Sequence, residues 1–353
     1  MEGRACNAHP WFQPAHPSPG FNGRKDLTSE APSVKRGSPL SSGLGLVGWQ
    51  PYMVVRFTKM NGAGNDFVLI DNRDGRLCLS GDQVVRLCHR QRGIGADGLL
   101  LLVPGPAGSA EWAWDFFNSD GSRAAMCGNG ARCFARFVQR LTGAGRTVRF
   151  ATGAGLITAE LDQDMVTVDL TSPHALRLNQ PLRLGEQTLT VHSINTGVPH
   201  AVLFVPDADR CAVGRLGSQI RSHPFFAPDG ANVNFVELLA PGRIRVRTYE
   251  RGVEGETLAC GTGVTASALI AARLHGFKPP IDVRVQGGDW LQVSFSGTGE
   301  SFDRVRLKGP AEFVFEGQIE LEPQENASCG LEPTPPSSRP FAEVRSMKAP
   351  SPG

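Results

Sequence analysis

A tetrapeptide of the form Cys-Gly-x-Gly occurs twice in this 353-residue chain, each time opening a helix-like segment, at Cys127 and at Cys260. The two cysteines lie 133 residues apart. GNDFVLI (Gly64 to Ile70) resembles VPHAVLF (Val198 to Phe204) at an offset of 134, and GADGLLL (Gly95 to Leu101) resembles GANVNFV (Gly230 to Val236) at 135. Three matches in one order at nearly one offset predict an internal duplication. Two similar domains facing each other leave a single cleft between them, the usual place for a small ligand.

Most of residues 53–322 reads as strand. EWAWDFFN (Glu111 to Asn118), MVTVDL (Met165 to Leu170), RIRVRTYE (Arg243 to Glu250) and LQVSF (Leu291 to Phe295) alternate apolar and polar residues, the period of a strand with one buried face. Only two substantial helices are expected. In CGNGARCFARFVQRL, Ala131, Phe134, Ala135, Val138 and Leu141 form an apolar stripe, and Gly143 supplies a stop. In CGTGVTASALIAARLHG the run from Val264 to Ala272 carries no charge, which predicts a helix buried on every side. Two similar halves of mostly strand are expected, each with one substantial helix.

Composition removes several classes. The formal net charge of +2 gives no electrostatic case for nucleic acid or an anionic membrane. No apolar run reaches the ~18 residues of a membrane helix. Seven prolines fall in residues 1–52 and seven more in 323–353, with Ser and Gly and no apolar period, so both stretches read as disordered tails. Met53 immediately precedes the first strand-like run, which makes it a candidate start. Glu2, Asp26 and Glu30 interrupt the basic character of a transit peptide. None of the eight cysteines forms a CxxC pair, so no zinc ribbon or thioredoxin motif is expected. Without a secretory signal, reduced thiols in a cytoplasm are the default.

The duplicated turn predicts a specific chemistry. A helix N-terminus offers free N–H groups and a partial positive charge, which attract an anion and lower a thiol's pKa. A lone CGxG is most often a buried structural cysteine. Two symmetry-related ones, each opening a helix, fit a reaction that inverts an α-carbon: one thiolate removes the α-proton while the opposite thiol protonates the other face. The two helix ends would stabilise the charge that builds on the α-carboxylate. Cys78, Cys88, Cys133 and Cys211 lack that glycine context and read as structural.

The order GAGNDF, GIGADG, FNSDGS, MCGNGARC, GVPH, NVNF and YERGVEGETLACGTG resembles the diaminopimelate epimerase family over about residues 53–322. That resemblance implies a pyridoxal-independent epimerase interconverting LL- and meso-diaminopimelate for lysine and cell-wall precursor synthesis, without cofactor or metal. It further implies a homodimer and an α/β (α+β) fold of two pseudo-symmetric domains, each a central helix wrapped by a β-barrel-like mixed sheet. A first half of 53–172 plus about 308–322, completed by the returning last strand, would face a second half of 173–307. Cys127 and Cys260 then form the catalytic pair. Gly128, Asn129, Gly261 and Thr262 present N–H groups to the α-carboxylate. Asn65, Asn118, Asn232, Glu250 and Arg251 contact substrate, and His200 and Glu250 tune the thiols. Taken singly, a Tyr-Glu-Arg run is usually a solvated strand end and an Asn before Ser-Asp-Gly a turn former.

Two positions depart from some members of that family, which have Gln where this chain has Gly98 and Asn where it has Val198. The alternatives are a racemase of another polar amino acid such as histidine, a proline-type racemase, and a non-catalytic amino-acid-binding protein. Proline racemases typically show His after the first Cys-Gly and Ser-Pro before the second Cys. This chain has Cys127-Gly-Asn-Gly and Leu258-Ala-Cys260, which favours the epimerase.

Overall fold

The structure is a computed structural model, and it describes residues 52–297 and 301–322. The two Pro-rich tails, expected to be disordered, lie outside the described residues.

A first series of elements runs β1 (Met53–Asn61), β2 (Asp66–Asp71), α1 (Gly81–Cys88), β3 (Gly98–Pro104), β4 (Trp112–Asn118), α2 (Gly128–Thr142), β5 (Thr147–Thr152), β6 (Gly155–Asp162), β7 (Met165–Asp169) and β8 (His174–Leu184). A second follows: β9 (Gln187–Asn195), β10 (Pro199–Phe204), α3 (Val213–Arg221), β11 (Asn232–Ala240), β12 (Arg243–Glu250), β13 (Gly255–Thr257), α4 (Gly261–His275), β14 (Ile281–Arg284), β15 (Trp290–Ser296), β16 (Asp303–Pro310) and β17 (Glu312–Leu321). The fold is α+β and dominated by sheet.

Both series repeat one pairing scheme. β2 pairs parallel to β3 across α1, and β10 pairs parallel to β11 across α3. β4 pairs parallel to β5 across α2, and β12 pairs parallel to β14 across α4. Each parallel step is therefore a strand–helix–strand crossover, and the duplication extends to topology. The repeats are sewn together rather than merely apposed. β16 pairs antiparallel with β7, placing Leu307 opposite Val168, and β17 pairs antiparallel with β1 along its full length.

The long helices occupy the middle of this wrapping because their sequences permit nothing else. α4 buries every residue from Gly263 to Ala271 and ends at Gly276, whose φ of 66° needs no Cβ. α2 ends the same way at Gly143. Ala131, Phe134, Ala135 and Val138 of the expected stripe are fully buried, but Leu141 is exposed because it falls in the last turn, past the covering sheet. Around α2 the rings of Trp114, Phe134 and Phe150 pack 4.8–5.6 Å apart, in tilted or edge-on geometry. The shorter α1 and α3 were not foreseen. α1 is only two turns long, fixed by a capping box in which Ser80 and Gln83 bond each other's backbone N–H groups.

Among the described residues Cys88, Cys127, Cys133, Cys211 and Cys260 are free thiols. No described helix is long and apolar enough to cross a membrane.

Candidate active site

Cys127 and Cys260 are the N-cap residues of α2 and α4. Both have extended backbones, so each side chain leaves its chain where the helix begins. The first N–H groups of each helix lack intrahelical acceptors by geometry. The two helix ends meet. A Cβ on Gly261 would lie 3.4 Å from Asn129 Oδ1 and 3.9 Å from Gly128 Cα, and one on Gly263 would lie 2.3 Å from Asn234 Oδ1. Glycine at 263, in the first turn of α4, is thus demanded by Asn234 on β11 of the same half, a reason the sequence did not reveal.

Asn65 joins the first thiol to this junction. Its Oδ1 accepts from Asn129 Nδ2 at 3.2 Å and lies 3.6 Å from Cys127 Sγ, within reach of the thiol proton. Its Nδ2 donates to Asp97 Oδ2 at 2.8 Å. That second bond fixes the amide's orientation, because only the nitrogen can donate to a carboxylate. Asp97 is held in turn by Arg90, which also forks onto Asp66. Burial opposes ionisation of Asp66, but the bonds from Arg90 and Lys59 outweigh it and hold the group at about 2. Asn118 ends β4 opposite Gly98, exposed, and bonds Ser122 Oγ at 3.0 Å. The next residue, Ser119, donates its N–H to Asp97 O.

On the second half, His200 and Asn232 are cross-strand neighbours on β10 and β11. Asn232 Oδ1 accepts from the backbone N–H of Arg251 at 2.7 Å, tying the end of β12 to that sheet. His200 is fully buried. Asn234 Nδ2 donates to its Nδ1 at 3.1 Å and to Ala201 O, while Asn234 Oδ1 accepts from Thr248 Oγ1. This chain of bonds makes Nδ1 an acceptor, so the ring proton resides on Nε2, which has no partner. Burial, with Arg251 nearby, drives the imidazole down to about 3, so it is neutral at any ordinary pH.

The electrostatics correct one expectation. The helix ends were expected to lower both thiol pKa values; both are raised. Burial is the largest cause for each, and it exceeds the opposing effect of the N–H groups of Gly130 at Cys127 and Gly263 at Cys260. The Glu250 carboxylate pushes both thiols further up, which places Glu250 within electrostatic reach of both. Burial also raises Glu250 itself.

The structure therefore joins Asn65, Cys127, Gly128, Asn129, Gly261 and Cys260 in one hydrogen-bonded or packed cluster. His200, Asn232, Glu250 and Arg251 border it, Thr262 bonds Cys260 Sγ through its hydroxyl at 3.5 Å, and Asn118, exposed at the end of β4, bonds Ser122 instead. Sequence reasoning missed Asp97, Asn234 and the fully buried Arg132. All three lie inside the motifs that carried the resemblance, and Arg132 was visible as a charge beside the apolar stripe of its helix, next to Ala131. Among the described residues no group of three or more His, Cys, Asp or Glu could hold a metal. A separate surface pocket of about 330 Å³, lined by His89, Arg90, Asp97 and Ser119 among others, includes neither Cys127 nor Cys260.

Known proteins match this arrangement at two levels. The proteins from Hydrogenobaculum sp. (strain Y04AAS1) and Aquifex aeolicus (strain VF5), both named diaminopimelate epimerase, are 43% and 44% identical over 278 and 280 residues. Those matches cover 75% and 76% of this chain and 98% and 99% of the relatives. Among solved structures, a hydroxyproline epimerase from Agrobacterium vitis superposes with a TM-score of 0.59 at 17% identity, over 76% of this chain and 93% of that one. A Bacillus anthracis protein of the PhzF family superposes at 0.58 with 14% identity, over 76% of this chain and 99% of that one. At those identities the likeness shows the fold alone. The family model described as diaminopimelate epimerase matches residues 57–176 and 192–314, so each cysteine and its helix falls within a matched segment, and the chain belongs to the diaminopimelate epimerase family.

Proposed function

We propose that this chain is an isomerase that interconverts LL- and meso-diaminopimelate by proton transfer between Cys127 and Cys260, with no cofactor. The observation that carries the reading is the meeting of two Cys-capped helix N-termini at Gly128 and Gly261. An α-carboxylate set between them takes N–H groups from Gly128 and Asn129 on one side and Gly261 and Thr262 on the other. The negative charge of the carbanion spreads onto that carboxylate, where those dipoles are already oriented.

The raised thiol pKa values give the substrate a part in its own activation. In the empty site, burial and the Glu250 carboxylate both disfavour thiolate. A substrate α-ammonium beside Glu250 cancels that carboxylate's charge, so binding itself eases formation of one thiolate. That thiolate takes the α-proton; the other thiol gives its proton to the opposite face. Each turnover exchanges the protonation states of the pair. His200 stays neutral throughout and offers only its Nε2–H dipole. Asn65, Asn118, Asn232 and Arg251 hold the remainder of the substrate.

We also propose the half-boundaries 53–172 plus 308–322 and 173–307, a homodimeric state and a cytoplasmic location. Pairing of β17 with β1 and of β8 with β9 supports the boundaries.

The test is purified protein with LL-diaminopimelate in deuterium oxide, following the meso form and α-deuterium by NMR beside a panel of L-amino acids. Cys127→Ala and Cys260→Ala should each abolish epimerisation. Near-normal turnover by either variant, or faster turnover of another amino acid, overturns the reading.

A further inference from the structure

Arg132 is the largest fully buried side chain in the described protein, and it is charged. Its guanidinium has four acceptors: Pro310 O (3.1 Å, from Nε), Gly128 O (3.3 Å), Gly62 O (3.2 Å) and Asn129 Oδ1 (3.0 Å). All four are neutral, and among the described residues Arg132 forms no ion pair. Removing a cation from water without an anion is among the most costly arrangements a fold can hold. A Cβ on Gly309 would lie 2.1 Å from Leu291 Cδ2 and 3.1 Å from the guanidinium, so the strand beside Arg132 admits no side chain there.

The position explains why such a group is retained. Gly128, whose carbonyl Arg132 holds, directly follows Cys127, and Asn129, whose amide it orients, bonds the Asn65 that faces Cys127. The second half has no counterpart. At the position equivalent to Arg132, five residues beyond Cys260, stands Thr265, whose hydroxyl only back-bonds to Gly261 O at 2.9 Å. The two thiols therefore sit over helix ends of similar geometry but different charge.

We propose that Arg132 is the resident countercharge for Cys127, a positioning and electrostatic residue that makes Cys127 the more acidic member of the pair and the preferred thiolate of the empty enzyme. The charged groups around it support that assignment. Cys127 is acted on by Glu250, which opposes its ionisation, and by Arg132, which favours it; Cys260 is acted on by Glu250 and by Cys127, both unfavourable. The other groups facing Arg132 are Cys133, whose thiol burial pushes up to about 12, and Asp289, raised by its own burial. Neither forms an ion pair with the guanidinium, and the Cys127 thiolate is a further anion whose charge would favour it.

This proposal rests on the two-thiol reading, but its test needs no turnover. The probe is iodoacetamide, with the alkylation rate of the single remaining site thiol followed against pH by peptide mass spectrometry. Cys127 is read in Cys260→Ala and Cys260 in Cys127→Ala. The apparent pKa of Cys127 is expected at least about one unit below that of Cys260, equivalent to a tenfold difference in thiolate fraction. Arg132→Met should raise the Cys127 midpoint by about one unit and leave Cys260 within about 0.3, whereas Arg132→Lys, which keeps the charge and loses the fork, should hold most of the gap. Equal midpoints for the two cysteines with Arg132 intact overturn the proposal, and this comparison stands even where Arg132→Met fails to fold. Equal shifts in the Lys and Met variants also overturn it, since they reduce Arg132 to a brace for Asn129 and the backbone. Loss of epimerase activity with the predicted midpoints intact would instead count against the proposed function alone.

Discussion

The side-chain amide of Asn129, in the first turn of α2, donates to the carbonyl of Ala259 at 3.3 Å, one residue before Cys260. The same nitrogen donates to Asn65 Oδ1, and the amide oxygen accepts from Arg132. One buried side chain thus spans both helix ends and the loop that faces Cys127. Asn129→Ala removes all three bonds and leaves the Arg132 guanidinium short of an acceptor. The expected cost is about 1–3 kcal/mol of stability, read as a lower melting temperature, together with at least a tenfold fall in kcat. A variant that melts as the parent does and keeps full kcat would show the junction to be held by packing alone.

Gly98 stands where some relatives carry Gln, and the surrounding structure leaves no place for a side chain. A Cβ there would lie 2.9 Å from Phe116 Cε2 and 2.9 Å from Phe117 O, the second a backbone atom that cannot rotate away. Gly98→Gln should therefore destabilise the protein by about 1–3 kcal/mol without strengthening substrate binding. Thermal melting and KM for diaminopimelate check this. A lower KM in a variant of unchanged stability would mean that the Gln contact can be restored here.

The helix pair, the strand periods and the candidate cysteines were legible in the sequence, because each follows from a local rule. Cys-Gly-x-Gly opens a helix, Gly143 and Gly276 close one, and the uncharged run after Val264 admits no exposed face. What was not legible depends on distant parts of the chain. Gly263 is glycine because Asn234 occupies its Cβ space from another strand, and Asp97 matters because it orients Asn65 from 32 residues away. The sign of the thiol shifts failed for the same reason. A helix terminus is visible in sequence, but the burial that outweighs it is produced only when both halves close around the thiols.

His200 gives a pH dependence of stability whose sign is fixed. Its folded-state value of about 3 lies below the ordinary 6.5, so between those pH values the unfolded chain holds a proton that the native imidazole refuses. Stability from this group is complete above about pH 6.5 and is lost as pH falls toward 3, at up to about 1.4 kcal/mol per pH unit. Melting temperature should fall between pH 7 and pH 5, and His200→Gln, which carries no titrating ring, should fall less steeply. Parallel slopes in the two proteins would mean that the native imidazole accepts a proton near its ordinary value.

Arg251 separates binding from proton transfer. Its backbone N–H is committed to Asn232 Oδ1, and its side chain donates from one terminal nitrogen to Asp229 O at 3.0 Å, leaving the other donors of a half-buried guanidinium unassigned. A planar fork with free donors at the end of β12 suits the second carboxylate of diaminopimelate, which a monocarboxylic amino acid lacks. Arg251→Ala should raise KM for diaminopimelate by about tenfold to a hundredfold, the loss of one charge-assisted contact, while kcat falls by much less. Its stability should change little, because the Asn232 bond is made to the backbone and survives the substitution. Arg251→Lys, which keeps the charge without the fork, should lie between the two. Steady-state kinetics on the three proteins decide the matter. A KM unmoved by Arg251→Ala would remove the second carboxylate from this position and turn the assignment toward a monocarboxylic substrate.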